Sequence, residues 1–257
     1  GPRLEPLSTR EEVEALADND GLHAHCAPVY ETVRRLATSL PAHVALIGFA
    51  GAPWTVATYM IAGRGKDEQR GAKALMAEAP DVFAALIERL ESATAAYLLA
   101  QIDAGAETVM LFDSWAGALA EEPALFEAWS LGPMRRIAAA IKDARPGTPV
   151  IAFPRGAGPL YAEAARTLGV EAIAIDESVD PDWARQAVQP HAAVQGNLDP
   201  SLMVRGGPGL EEGARKLVSA LGGGPFIFNL GHGITPDADP DNVLSHVEAV
   251  KEAGRDV

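Results

Sequence analysis

The chain has 257 residues, a formal net charge of -14, 48% hydrophobic residues and only 6% aromatics. That charge repels nucleic acid and anionic membrane alike, which excludes both as partners. Cys26 is the single cysteine, so an intrachain disulfide and a multi-cysteine metal site are excluded as well.

Ser8-Thr9-Arg10-Glu11 has the pattern of a capping box opening a short helix, and a second helix is expected from about Ala27 to Ser39. Short apolar runs then alternate with helical stretches. The predicted strands are Val44–Phe49, Glu107–Phe112, Pro149–Phe153, Ala172–Ile175, Ala192–Gln195 and Pro225–Asn229. They are mostly free of polar alternation, as strands covered on both faces should be. The predicted helices are Pro80–Ala104, Pro123–Ala144, Pro159–Leu168, Pro181–Gln189, Leu210–Leu221 and Pro240–Ala253. Prolines stand where these helices start, and Gly105, Gly169 and Gly222 where they stop. Such alternation predicts a parallel α/β sheet, either an open doubly wound sheet or a closed barrel.

In both architectures ligands bind at the carboxyl ends of the strands. Glycines and polar residues cluster there: Gly48-Phe-Ala-Gly-Ala-Pro-Trp-Thr55, Asp113-Ser114-Trp115, Pro154-Arg155-Gly156, Asp176-Glu177-Ser178, Gly196-Asn197 and Gly231-His232-Gly233. His232 lies between two glycines, which suits close approach to a ligand and proton exchange near neutral pH; a histidine that merely fixes its loop fits the same pattern. Tyr59 falls at the start of a helix, where its hydroxyl can donate to a carboxylate, although an aromatic core anchor explains the spacing more simply. Asp113 and Ser114 suit a polar substrate group or the cap of the next helix equally well. Arg64 and Lys66, set among glycines, form a basic loop suited to clamping carboxylates or to lying solvated on the surface. Arg155 suits an anionic ligand or a carboxylate of the chain itself. No Gly-x-Gly-x-x-Gly fingerprint follows a strand, and there is no Walker A loop.

The run Gly48–Met60 resembles a signature of the uroporphyrinogen decarboxylase family. So do Phe112-Asp-Ser-Trp-Ala-Gly117, Gln195-Gly-Asn-Leu-Asp-Pro200, and Asn229-Leu-Gly-His-Gly-Ile-Thr-Pro236 with Asp239-Pro-Asp-Asn-Val243. The matches keep family order and span nearly the whole chain; the last is shared with related methyltransferases. The resemblance implies a (β/α)8 TIM barrel, a single domain over residues 1–257 with the first one or two β-α units of the family absent. It also implies a homodimer that needs no cofactor, while the single cysteine points to a reducing, cytoplasmic setting and no metal site. The implied reaction converts the four acetate side chains of uroporphyrinogen III to methyls, giving coproporphyrinogen III and CO₂. Tyr59, Ser114 and His232 fall on the family's substrate-binding or catalytic positions, with Tyr59 and His232 as the catalytic candidates, and Arg64 lies on a loop similar to a flexible active-site loop. The family's N-terminal arginine-rich loop and its pyrrole-binding aspartate have no counterpart here. Two rivals remain: a corrinoid- or thiol-dependent methyltransferase of the same superfamily, for which Cys26 on a helix is a poor ligand, and a barrel remnant without activity.

Overall fold

The computed structural model describes residues 4–63 and 69–255. The chain folds as two compact units, Gly1–Pro154 and Arg155–Val257.

The first unit carries β1 (Ile47–Gly51), β2 (Thr108–Asp113) and β3 (Val150–Pro154), all parallel, with Gly51 beside Phe112 and Asp113 beside Pro154. That register brings the three carboxyl ends level. Its main helices are α1 (Arg10–Glu14), α2 (Asn19–Ser39), α3 (Pro53–Ala62), α4 (Arg70–Glu78), α5 (Pro80–Asp103), α6 (Pro123–Phe126) and α7 (Gly132–Ala144). Helix α5 is the hub, packing on α2, α3, α4, α7 and β1. Its Phe83, Leu86, Ile87, Leu90 and Leu98 are buried, each side chain contributing about 1.5–3 kcal/mol.

The second unit carries β4 (Ala172–Ala174), β5 (Ala193–Leu198) and β6 (Phe226–Leu230), again parallel, with Leu198 beside Leu230. Helices α8 (Tyr161–Thr167), α9 (Pro181–Ala187), α10 (Ser201–Arg205), α11 (Pro208–Leu221) and α12 (Pro240–Ala253) complete it, α11 packing on α9, α12 and β5. His246 of α12 is buried, its ring 4.9 Å from that of Phe228, and its Nδ1 has no hydrogen-bond partner.

All six expected strands form, most of them displaced by a residue or two. The helix at Pro240 has the expected bounds, and the one at Pro80 ends a residue early. Four expectations need correction. The capping box lies one residue later: Thr9 is the N-cap, and the Glu12 carboxylate accepts from the N–H groups of Ser8 and Thr9. The second helix starts at Asn19, because Asp18 caps it by accepting from Gly21 N–H, and it runs through Pro28. The expected helix from Pro123 is interrupted by a π turn over Glu127–Leu131. Full burial on both faces holds for β3 and β4 but not for β1, where Ile47 and Phe49 are 44% and 61% exposed, or for β6, whose residues alternate. Among the described residues no helix is long and apolar enough to cross a membrane.

Candidate active site

In the first unit, β1 ends at Gly51 and α3 begins at once, with Pro53 in its first turn where a missing N–H costs nothing. Helix α3 thereby stands at the carboxyl end of β1 and carries Thr55 and Tyr59, four residues apart and so on one face. Asp113, the last residue of β2, is wholly buried. The Thr55 hydroxyl donates to its Oδ1 at 2.6 Å, and the Ser130 hydroxyl donates to Oδ2 at 2.6 Å. Trp115 N–H donates to Thr55 Oγ1 at 3.1 Å, and Trp54 Nε1 donates to the Trp115 carbonyl at 2.9 Å. Burial pushes the Asp113 carboxyl up to about 6, with the Ser130 and Thr55 hydrogen bonds holding it down. The network ties the first turn of α3 to the segment that follows β2.

Tyr59 and Ser114 sit on the two elements so joined. Both are half-buried. The Tyr59 ring meets the Trp115 indole edge-on, with centroids 6.3 Å apart, and Ser114 is the residue before that tryptophan. The capping alternative fails: the short helix after β2 is headed by Trp115 and has no side-chain cap. Tyr59 is likewise not a sealed core anchor, since it keeps part of its surface exposed while the core role passes to the fully buried Trp54. Helix α3 stops at Gly63, which has φ 68° and leaves 2.8 Å between a hypothetical Cβ and the Leu4 carbonyl oxygen. Arg64 and Lys66 lie outside the described residues.

The second unit has its own buried carboxylate. Asp176, just past β4, accepts at Oδ2 from Gly156 N–H at 2.8 Å and from the Tyr161 hydroxyl at 2.7 Å. At Oδ1 it accepts from Ser178 N–H at 3.0 Å and from the Ser178 hydroxyl. Burial alone would raise its pKa, but the hydrogen bonds from Ser178, Tyr161 and Gly156 outweigh it and leave the carboxyl below its ordinary range. Burial, then the Asp176 charge, pushes the Tyr161 hydroxyl well upward, so the tyrosine stays a donor. Asn197 of β5 donates from Nδ2 to the carbonyls of Asp176 and Val179, at 2.8 Å each.

His232 is exposed on the loop after β6. The loop is held by its backbone: Gly231 N–H donates to the Leu198 carbonyl at 2.8 Å. A Cβ on Gly231 would stand 2.3 Å from Glu177 N, so only glycine fits against that neighbour. Arg155, which follows β3, is 3.8 Å from Glu177. Cys26 lies on α2 with Tyr30, Leu46 and Tyr97, and the described residues contain no group of three His, Cys, Asp or Glu side chains able to hold a metal ion.

Sequence reasoning found the residues at the strand ends but missed Thr55, Ser130 and Tyr161 as their supports. Asp113 and Asp176 carried the available signal, since a lone aspartate closing an apolar strand must find donors wherever it is buried.

Residues 1–253 match the family model described as Uroporphyrinogen decarboxylase (URO-D). The chain is 55% identical over 251 residues to the uroporphyrinogen decarboxylase of Paracoccus denitrificans, covering 98% of this chain and 73% of the relative. It is 51% identical to that of Rhodospirillum rubrum, covering 98% and 71%, and 52% identical to that of Ruegeria pomeroyi, covering 98% and 73%. Among solved structures it resembles a methyltransferase from Methanosarcina mazei, with TM-score 0.78, 18% identity, and coverage of 98% of this chain and 70% of the other. It also resembles a putative vitamin-B12-independent methionine synthase from Listeria monocytogenes, with TM-score 0.60, 13% identity, and coverage of 89% and 69%. At those identities the likeness concerns the fold, and the fold class is the parallel α/β class of the (β/α)8 TIM barrel.

Proposed function

We propose a site for the reaction of this chain, which belongs to the uroporphyrinogen decarboxylase family. The reaction is the decarboxylation of the acetate side chains of uroporphyrinogen to methyls, a carboxy-lyase step of porphyrin and heme biosynthesis. Identity of about half over nearly the whole chain carries that reading.

Loss of CO₂ from an acetate leaves an electron pair that needs a sink. A pyrrole supplies its own once the ring carbon beside the acetate-bearing carbon is protonated. As CO₂ leaves, its bonding pair moves into the ring cation and gives an exocyclic methylene; protonation of that methylene to a methyl and loss of the first proton from the ring carbon restore the pyrrole. The protein has to hold several carboxylates, deliver protons and tolerate a cationic ring.

Tyr59, Ser114 and His232 meet those needs as hydrogen-bond partners. Each follows the carboxyl end of a parallel strand, where this class of fold places its ligands. The Tyr59 and Ser114 hydroxyls donate to substrate carboxylates, and the Thr55–Asp113–Ser130 network holds the two elements that carry them. His232 donates to a carboxylate or exchanges a proton, and Tyr59 and His232 are the catalytic pair in this reading. Arg64, two residues past the end of α3 in sequence, supplies a cation. The enzyme works as a homodimer in the cytoplasm, which light scattering of the purified protein and fractionation of its host cells would test. The methyltransferase alternative has little support, since the lone cysteine sits on α2 among Tyr30, Leu46 and Tyr97.

Anaerobic, light-protected incubation with uroporphyrinogen tests the assignment. Hepta-, hexa-, penta- and tetracarboxyl products are expected to accumulate in turn. A native, dimeric preparation that leaves the octacarboxyl substrate intact would refute it.

A further inference from the structure

Most arginines of the described chain are spoken for. Arg10, Arg35, Arg135, Arg145, Arg166 and Arg185 each hold a carboxylate within 3.1 Å. Arg155 does not. Among the described residues its one acidic neighbour, Glu177, is 3.8 Å away, beyond hydrogen-bond range, and both side chains are about one-third exposed. Its Nε is buried and has no hydrogen-bond partner. An unpaired N–H on a charged group is costly, and the chain has 35 acidic residues from which a partner might have been built.

The backbone around this loose pair is, by contrast, tightly held. Gly156, next to Arg155, donates its N–H to Asp176 Oδ2, and Ser178, next to Glu177, donates its N–H to Oδ1 of the same carboxylate. Gly231 lies against Glu177, at a distance only glycine allows. One buried, ionised aspartate thus mounts both members of the pair, and the loop bearing His232 abuts the mount. A rigid mount under an undersaturated guanidinium is the arrangement expected of a binding group.

We infer that Arg155 binds a side-chain carboxylate of the substrate and that Glu177 is its resting counter-ion. The inference rests on the decarboxylase reading and adds a residue to it. An incoming acetate or propionate takes two N–H groups of the guanidinium as a bidentate pair and displaces Glu177 from a contact too long to resist. Glu177 balances the cation until substrate arrives. The pair also eases the conflict between a chain of charge -14 and a polyanionic substrate, because a cation stands where the carboxylate must dock.

Three variants and two readouts test this. Arg155→Gln should raise KM for the octacarboxyl porphyrinogen roughly ten- to hundredfold, with a smaller change in kcat. Arg155→Lys should recover only part of the loss, because an ammonium cannot offer the paired N–H groups. Glu177→Gln should lower KM by removing the competing carboxylate. A purely structural ion pair predicts the opposite for Glu177→Gln, which would then match Arg155→Gln in both KM and thermal stability. If Arg155 holds a propionate, the penalty stays constant down the hepta- to pentacarboxyl intermediates; if it holds an acetate, the penalty fades as acetates are consumed. Fluorescence titration with uroporphyrin, an octacarboxylate that keeps both acetates and propionates, gives a second readout that does not need turnover. Absence of turnover in the wild type would overturn the decarboxylase reading, while the titration still decides the role of Arg155. KM and uroporphyrin affinity within about twofold of wild type in both Arg155 variants would overturn the inference.

Discussion

Replacing Asp113 with asparagine should make the chain less sensitive to pH, in a direction and range set by its burial. The carboxyl is wholly buried and titrates at about 6 instead of 3.8. The folded state therefore binds that proton more tightly than the unfolded chain does, by roughly 3 kcal/mol. For a raised pKa the sign is fixed: the stabilisation is complete below 3.8 and is lost as pH rises through about 6. Asparagine resembles the protonated acid, with one group able to accept and one able to donate, and it carries no charge at any pH. The difference in unfolding free energy, variant minus wild type, should accordingly grow by roughly 2 kcal/mol between about pH 4 and pH 7. Urea unfolding at half-unit pH steps would measure it, followed by tryptophan fluorescence, with Trp54 donating to the Trp115 carbonyl beside the network. Taking the difference cancels carboxylates of opposite sign, such as Asp176, whose lowered pKa makes stability fall as pH falls. A difference that stays flat from pH 4 to 7 would refute the reasoning.

Thr55→Val removes a donor to Asp113 and the acceptor of Trp115 N–H. It should cost about 1.5–3 kcal/mol and lower kcat/KM, whereas Ser130→Ala should cost a similar amount and affect turnover less, since it leaves Trp115 alone; parallel melts and steady-state assays compare them. Gly231→Ala places a Cβ 2.3 Å from Glu177 N, so the loop bearing His232 must shift; activity should fall more than thermal stability does, as the same two assays would show. His246 has its pKa lowered by burial, so it stabilises the fold when neutral and that contribution is lost as pH falls below about 6.5. His246→Phe should remove that acid-side loss in melts run between pH 5 and 7.

Much of this was legible before any coordinates. Short apolar runs bounded by glycine and proline mark six strands, because a buried parallel strand has no polar face to interrupt it. Proline at a helix start is equally direct, and Pro80, Pro123, Pro181 and Pro240 each open one. Helix α2 hid its first turns because Pro28 looked like a boundary, while the Asp18 cap lies ten residues upstream. The true capping box was masked by a neighbouring one in the same four-residue pattern, and only the contacts of the Glu12 carboxylate separate them. At the site, Tyr59, Ser114 and His232 stood out through motif and position. Their supports did not: Ser130 lies in a π turn that no helical period anticipates, and Tyr161 reads as an ordinary core aromatic until its hydroxyl is seen on Asp176.

Steady-state turnover of uroporphyrinogen by Tyr59→Phe, Ser114→Ala and His232→Gln, each with its melting temperature, tests the proposed site most directly. Every variant should keep its fold and lose roughly tenfold or more in kcat/KM, about 1.4 kcal/mol of transition-state stabilisation for each tenfold. Wild-type rates in all three would contradict the assignment, whatever the family of the chain.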